Sequence, residues 1–441
     1  MWSAPPPLTA PLARNSAVPL RPAAVQTRRE PGWDLLLGAL AAYLLAAVGR
    51  IHQLFPLLLP LKPLLLSCVV ATAIYFVLPG RRPGQEGRPL AHSFPLRCMA
   101  ALLVWGLLSI PGALWVGGAF TTVTDVLLKA VLMAVVLAGA VRGIGDVERL
   151  SGTYFAAIAL YSVVVLGRFN VGGDDWRLNK LYYYDANDFA TVAITALPLG
   201  IYFALRARRL WMRVAAGLGS AAILTAFIWT GSRGGFVAAL AVIAFILFGY
   251  STIALRWRIG TLALVVTLVA GLASDTYWEK MRSLLHPAED YNLESQEGRK
   301  AIWLRGIGYM LGHPLLGVGA GCFPTAEGTI SPRAARQSVG RGVKWQAAHN
   351  SYVQIGAELG IPGLFFFTGM IISAWLGLLR RRKRTGDPNL PRDPRGRPLA
   401  QALAAALLGY AVGAFFLSLA YTEAVYVLVA LAAGLRRIPT W

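Results

Sequence analysis

Cysteine is nearly absent: Cys68, Cys98 and Cys322 are the only three in 441 residues. An odd, scattered trio makes neither a disulfide framework nor a thiolate metal cluster. There are five histidines, and none pairs with another His or Cys at zinc-ligand spacing. No Gly-Lys-Ser/Thr phosphate loop occurs, and no fixed-period repeat is visible. Charge is thin, at 14% of residues against about 25% for a soluble domain. Acids are the scarcer sign, 21 against 42 Lys and Arg. The alternating ten-residue strands of a membrane barrel are also missing.

What fills the chain instead is apolar. It is 56% hydrophobic with a mean hydropathy of +0.55. Apolar windows of about 17 to 22 residues recur, long enough to cross a roughly 30 Å hydrocarbon core as helices. The expected fold class is therefore an all-α polytopic membrane protein. Twelve spans are expected, at about 33–49, 56–79, 98–117, 120–140, 150–167, 188–205, 211–230, 234–254, 259–276, 351–379, 399–420 and 422–435. The second holds Lys62 between prolines and reads as broken or re-entrant.

The net charge of +21 would suggest nucleic acid in a soluble protein. Here the cations concentrate in short connections such as "RARRLWMR" and "RRRKRTGDPNLPRDPRGR", and nucleic acid is not expected as a partner. With a cytoplasmic N-terminus, every basic connection falls inside, as positive-inside topology requires. Both termini are then cytoplasmic. Residues 1–32, rich in Pro, Ala and Arg, read as a disordered cytoplasmic tail, and 436–441 as a second short one. The first apolar run starts only near Trp33, so a cleaved signal peptide is not expected. Residues 33–276 hold the first nine spans, 277–350 a large outer loop, and 351–435 the last three spans.

Polar chemistry gathers outside. The large loop carries nine cations and six acids. Within it, "EGRKAIWLRGIGYML" reads as an amphipathic helix with Ile302, Leu304, Ile307 and Leu311 at helical spacing. "GVGAGCF", 317–323, reads as a tight glycine loop; with no βαβ unit around it, it is not a dinucleotide site. "KWQAAHNSYVQIGAELGIPG" places His349 and Asn350 where polar chain gives way to an apolar run. Asn350 and Ser351 have the chemistry of helix caps. Gly356, Gly360 and Gly363 suggest close helix packing, and Pro362 a kink or end. An imidazole titrates near 6.5 when unperturbed and can accept a proton at neutral pH.

Arginines outside are not explained by topology. Arg233 stands in "TGSRGG", and Arg299 and Arg305 flank Trp303 in the loop. A planar guanidinium suits phosphate oxygens. Asp174 and Asp175, and the set Asp185, Asn187 and Asp188, could hold a divalent cation, or Asp185 and Asp188 could be turn and N-cap residues. Glu423 could be structural or could orient a base. Lys62, Asp125 and Lys129 lie in or near spans but form no evident cluster.

"HNSYVQIGAELGIPG" resembles the His-[Asn/Ser/Gln]-x9-Gly-x2-[Gly/Thr/Tyr] signature of bacterial O-antigen ligases and the related O-antigen polymerases. "GRKAIWLRGIGYMLGHPLLGVGAGCF" looks like that family's Arg-x3-Trp helix and glycine loop, "TGSRGG" like its outer Arg turn, and "DANDFA" like its acid-Asn segment. The resemblance covers about 170–365. It implies a membrane-embedded glycosyltransferase with one large periplasmic loop in the bacterial inner membrane, where the active site is periplasmic. The donor would be an undecaprenyl-diphosphate-linked glycan. The acceptor would be lipid A–core, or, in polymerases and protein O-glycosyltransferases, another glycan or a protein. No cofactor or metal is implied. The catalytic base falls on His349, with Arg233 and Arg299 on the diphosphate, Arg305 close to the second, Asn350 beside the base, and Asp185 and Asp188 in support. The rival class is a transporter of a lipid-linked anion, which predicts charge deep within spans.

Overall fold

The computed structural model describes Trp2 and residues 32–77, 89–168, 177–178, 181, 183–285, 298–336, 345–380 and 393–439. Most of the expected N-terminal tail, the acids Asp174 and Asp175, and parts of the large loop lie outside the described residues. Those described form helices and turns, with no strand among them.

Among the described residues eight helices are long and apolar enough to cross a membrane: Pro56–Val77, Val116–Ala140, Ile144–Arg168, Ala186–Arg206, Leu210–Thr230, Leu255–Leu272, Ser351–Leu379 and Gly396–Phe416. Leu35–Ala47, Phe94–Ser109 and Arg233–Phe248 are shorter apolar helices. Glu423–Arg437 is the last helix, and its apolar residues are almost all buried. Each of the twelve expected segments thus contains a helix, eight of them of crossing length. The chain is a multi-pass, all-helical membrane protein.

Small residues let the helices approach closely, as in a bilayer, where shape rather than hydrophobicity drives association. Gly409 sits against Ile194 and Val242, and Gly413 against Thr191. The core runs through Ala186–Arg206 packed on Leu210–Thr230 and on Gly396–Gly413. The His349 helix, Ser351–Leu379, packs on Phe94–Ser109 and on Arg299–Gly312. Leu255–Leu272 is peripheral and has no buried residue.

Contacts between residues far apart in sequence define two ends. At one, Arg395 meets Glu148, Arg437 reaches the Ala138 carbonyl and Arg142 holds Asp34. At the other, His349 meets Ser418, Gly234 packs on Phe416, Arg233 meets Ser283 and Arg50 meets Glu423. The second span is broken as expected: a 3-10 helix, Pro56–Leu61, ends on a left-handed Lys62 before Pro63–Val77 begins.

One expectation fails in the large loop. Arg299–Gly312 is helical, but Leu304, Ile307 and Leu311 are exposed. The buried face is Ile302, Gly306 and Tyr309. Gly306 lies against Val353 and Phe323, so the helix docks by its small side and leaves its leucines outside.

Candidate active site

His349 occupies the left-handed region, with φ of 48°. For a residue with a Cβ that costs about 1–2 kcal/mol, so something must hold it. Its backbone N–H donates to the Ser418 hydroxyl at 2.9 Å. Two residues on, the Ser351 hydroxyl donates to the Leu417 carbonyl at 2.7 Å and accepts from the Leu419 N–H at 2.8 Å. On the other side, the Trp303 indole N–H donates to the Ala348 carbonyl at 3.1 Å, and its ring meets Phe415 edge-on. The His349 turn is therefore clamped between the 415–419 segment and the Arg299–Gly312 helix.

Asn350 is the helix cap. Its side-chain oxygen accepts from the Tyr352 and Val353 N–H groups at 2.9 and 3.1 Å. That fixes the helix start and leaves the side-chain amide N–H groups outside the cap.

The signature glycine, Gly360, breaks the helix at φ 69°, ψ −169°. Pro362 has no N–H to give the Glu358 carbonyl four residues earlier. The glycine loop supplies the missing partners. Val318 N–H donates to the Ala357 carbonyl at 2.9 Å and Gly319 N–H to that of Glu358 at 3.0 Å. Ile361 N–H turns to the Pro314 carbonyl at 2.8 Å, and the Trp105 indole N–H donates to the Leu359 carbonyl at 3.1 Å. A Cβ on Gly360 would clash with the Leu315 carbonyl oxygen. Of the expected packing stripe, Gly356 does sit against Met310, whereas Gly360 is the break itself, two residues before the proline. The Glu358 carboxylate, fully buried, completes the joint by accepting from Gly321 N–H, Phe323 N–H and the Tyr421 hydroxyl.

The cations divide into two kinds. Arg305 is bound to Glu327 through two nitrogens, at 2.8 and 2.6 Å, and Glu327 is 1% exposed. The hydrogen bond to Glu327 raises the Arg305 pKa, against the opposing pull of burial. Arg305 thus holds its helix on Phe323–Thr329. Arg299 opens that helix one turn before Trp303, about 6 Å along the axis.

Arg233, Arg177 and Lys280 form the other kind. Arg233 starts Arg233–Phe248 after the Ser232 cap and donates to the Ser283 hydroxyl at 2.9 Å. That hydroxyl donates in turn to the Lys280 carbonyl. Arg177 donates to the Thr230 carbonyl at 2.6 Å and to the Asn187 side chain at 3.1 Å. Burial, then Arg177 and Arg233, push the Lys280 ammonium down to about 8. Burial lowers Arg177 as well. Sequence reasoning noted Lys280 only among the loop cations and passed over Arg177. No local pattern marks either, because they meet Arg233 from opposite sides in the chain.

Asp185 accepts from the Asn187 and Asp188 N–H groups at 2.7 and 2.8 Å, which makes it the cap of Ala186–Arg206. Among the described residues no group of three or more His, Cys, Asp or Glu could hold a metal ion. Glu423 is paired with Arg50 at 3.0 Å. Lys62, Asp125 and Lys129, expected to be scattered, line a single cavity with Glu423.

Residues 218–368 match the family model for O-antigen ligase. Over those 151 of 441 residues the chain is O-antigen ligase-like. No curated protein matches it. The O-antigen ligase-like segment takes in Arg233, Lys280, Arg299, Arg305, the glycine loop, His349 and Gly360, while Arg177, Asp185 and the 415–423 segment stand outside it. The match supports a ligase- or polymerase-like membrane enzyme acting on lipid-linked glycan.

Proposed function

We propose that this protein transfers a glycan from a polyprenyl diphosphate, undecaprenyl diphosphate in a bacterial inner membrane, to an acceptor on the periplasmic face, with lipid A–core as the first acceptor to test. All twelve helices would cross the bilayer, with both termini cytoplasmic. The observation that carries this is a histidine in a strained, doubly clamped turn at the same end as a gathering of cations, inside an O-antigen ligase-like segment.

His349 would accept the proton of the acceptor hydroxyl as its oxygen attacks C1 of the donor sugar. The C1–O bond to the diphosphate breaks, and the leaving group takes that electron pair. Arg233 and Arg299 would stabilise the developing charge, with Arg177 and Lys280 adding to the field around Arg233. Fixed cations aimed at charge that forms in the transition state are often the largest catalytic contribution, and no metal is needed for this step. Strain at His349 supports the reading because strain concentrates where geometry is functional.

The test is transfer by purified protein from an undecaprenyl-diphosphate-linked glycan. Lipid A–core, a second carrier-linked repeat and an acceptor protein are offered in parallel. His349→Ala should cut transfer about 10²–10⁴-fold, the usual worth of a general base, with the protein still folded. Unchanged transfer would remove His349 from the mechanism. Product on the second repeat or the protein alone would place the enzyme in the polymerase or protein-glycosylating branch. The rival transporter reading draws on the charged cavity at Lys62. Carrier movement across proteoliposomes without product would favour it.

A further inference from the structure

A cavity of about 290 Å³ lies apart from His349, between the broken second span and the helix Val116–Ala140. His52, Lys62, Asp125, Lys129 and Glu423 supply its polar wall. Both carboxylates are already engaged, Asp125 by Lys129 at 3.1 Å and Glu423 by Arg50 at 3.0 Å. Lys62 and His52 remain as positive or donating groups, so the balance favours an anion. Burial, then Arg50, lowers the His52 pKa, which favours the neutral imidazole, a group that can still hydrogen-bond. Its Nδ1, and the Nε of Arg50, are buried with no hydrogen-bond partner among the described residues. Arg50 itself is 4% exposed. Buried polar atoms are rarely left unmatched in a finished site.

Backbone strain marks the same place. Among the described residues four non-glycines have positive φ: Arg50, Lys62, Tyr183 and His349. Arg50 and Lys62 bracket the segment over the cavity, and Tyr183 lies under the Arg50 guanidinium at 3.6 Å. The opposite wall includes a π-helical turn, Thr122–Leu127, which carries Asp125; such turns often sit at functional sites. The rim is apolar and exposed: Leu59, Leu65 and Val126 line the cavity and face outward on helices of membrane-crossing character. A charged hollow opening through a lipid-facing surface fits an amphiphile, head inside and chains along the helices.

We infer that this cavity seats the phosphorylated headgroup of a lipid, with Lys62 on the phosphate and His52 donating beside it. Resting on the function proposed above, that lipid is the acceptor. The cavity shares the 417–423 segment with the active site, Ser418 holding His349 and Glu423 lining the cavity. Five residues of chain span at most about 17 Å, a distance that a headgroup glycan can bridge.

The experiment uses the full chain in phosphatidylcholine nanodiscs. Binding of lipid A–core, its dephosphorylated form and phosphatidylglycerol is titrated without donor, and acceptor kinetics are measured separately. Phosphorylated lipid should bind, the dephosphorylated form at least tenfold more weakly. Lys62→Glu should weaken the phosphorylated lipid tenfold or more, while Lys62→Arg retains it and both variants melt like wild type. In turnover, Lys62→Glu should raise the acceptor KM about tenfold and leave the donor KM unchanged. Equal binding of the dephosphorylated lipid, or an unaltered Kd in Lys62→Glu, overturns the site. If phosphatidylglycerol binds as tightly and the acceptor KM does not move, the phosphate site stands and its occupant is bulk lipid. Lys62-dependent binding by a protein that transfers nothing would separate failure of the transferase reading from failure of the site.

Discussion

The two ends of the helix bundle use the same residue type for opposite purposes. At the basic end, arginines finish helices. Arg397 donates to the Leu378 and Leu379 carbonyls, Arg437 to that of Ala138, and Arg142 is held by Asp146 and Asp34. The Asp146 hydrogen bond raises the Arg142 pKa. At the His349 end, Arg177 and Arg233 lie close enough to add to the effect of burial in lowering Lys280, and Arg233 does the same to Arg177. Like charges held together in a partly buried setting are unfavourable without a ligand and favourable with an anion. The first end shows arginine as a fastener; at the second, the proposed function would use it as a preset field. The His349 end contains fasteners too, Arg305 with Glu327 and Arg50 with Glu423, so position alone does not assign the role. The partner does.

The contrast between the ends breaks most sharply at Arg233. Arg233→Ala should raise the donor KM or lower kcat by at least a hundredfold, since such a charge-stabilising group is worth roughly 3–4 kcal/mol; a change under threefold, read in the transfer assay, would make it another fastener. Arg305→Ala should instead cost stability. It strands a buried carboxylate, a loss of about 3–5 kcal/mol. Thermal melting should show that loss largely recovered in Arg305→Met with Glu327→Leu, and the donor KM of the folded fraction should stay unchanged.

Gly360→Ala tests the helix break. It adds about 1–2 kcal/mol of left-handed strain to the clash with the Leu315 oxygen, so melting should drop by several degrees. Gly260→Ala, which lies mid-helix and meets nothing within 4 Å, serves as the control and should not lower the melting temperature. Lys280 gives a smaller, pH-dependent effect. Below about 8 it is protonated and adds to the field; as pH rises through that value the charge is lost. Donor affinity should therefore weaken a few-fold between pH 7 and 9, and Lys280→Arg should flatten the profile. Arg397→Gln, at the basic end, should leave transfer unchanged and cost under about 1 kcal/mol.

Much of this was legible in the chain. Apolar windows located the helices, because span length is set by the bilayer rather than by detailed packing. The position of His349 followed from its place where polar chain becomes apolar. What escaped were partnerships across long separations. Glu423 and Arg50 are 373 positions apart, and no periodicity encodes such a pair. Arg177 and Lys280 are ordinary single cations until the fold brings them to Arg233. Leu304, Ile307 and Leu311 misled because helical spacing marks a face without saying whether it points inward. The meaning of Gly360 needed the loop that docks on it.

That docking has a mechanical consequence. By hydrogen bonding, the first turns of the His349 helix are joined to the glycine loop and to Trp105, and the helix resumes beyond the break at Gly360. Membrane helices tilt to match bilayer thickness. A continuous helix would carry such tilt into the His349 turn. Here the glycine loop grips the chain on both sides of the break, at Ala357, Glu358 and Ile361, so the His349 turn should keep its register with Ser418 and turnover should be nearly insensitive to the acyl-chain length of the surrounding lipid.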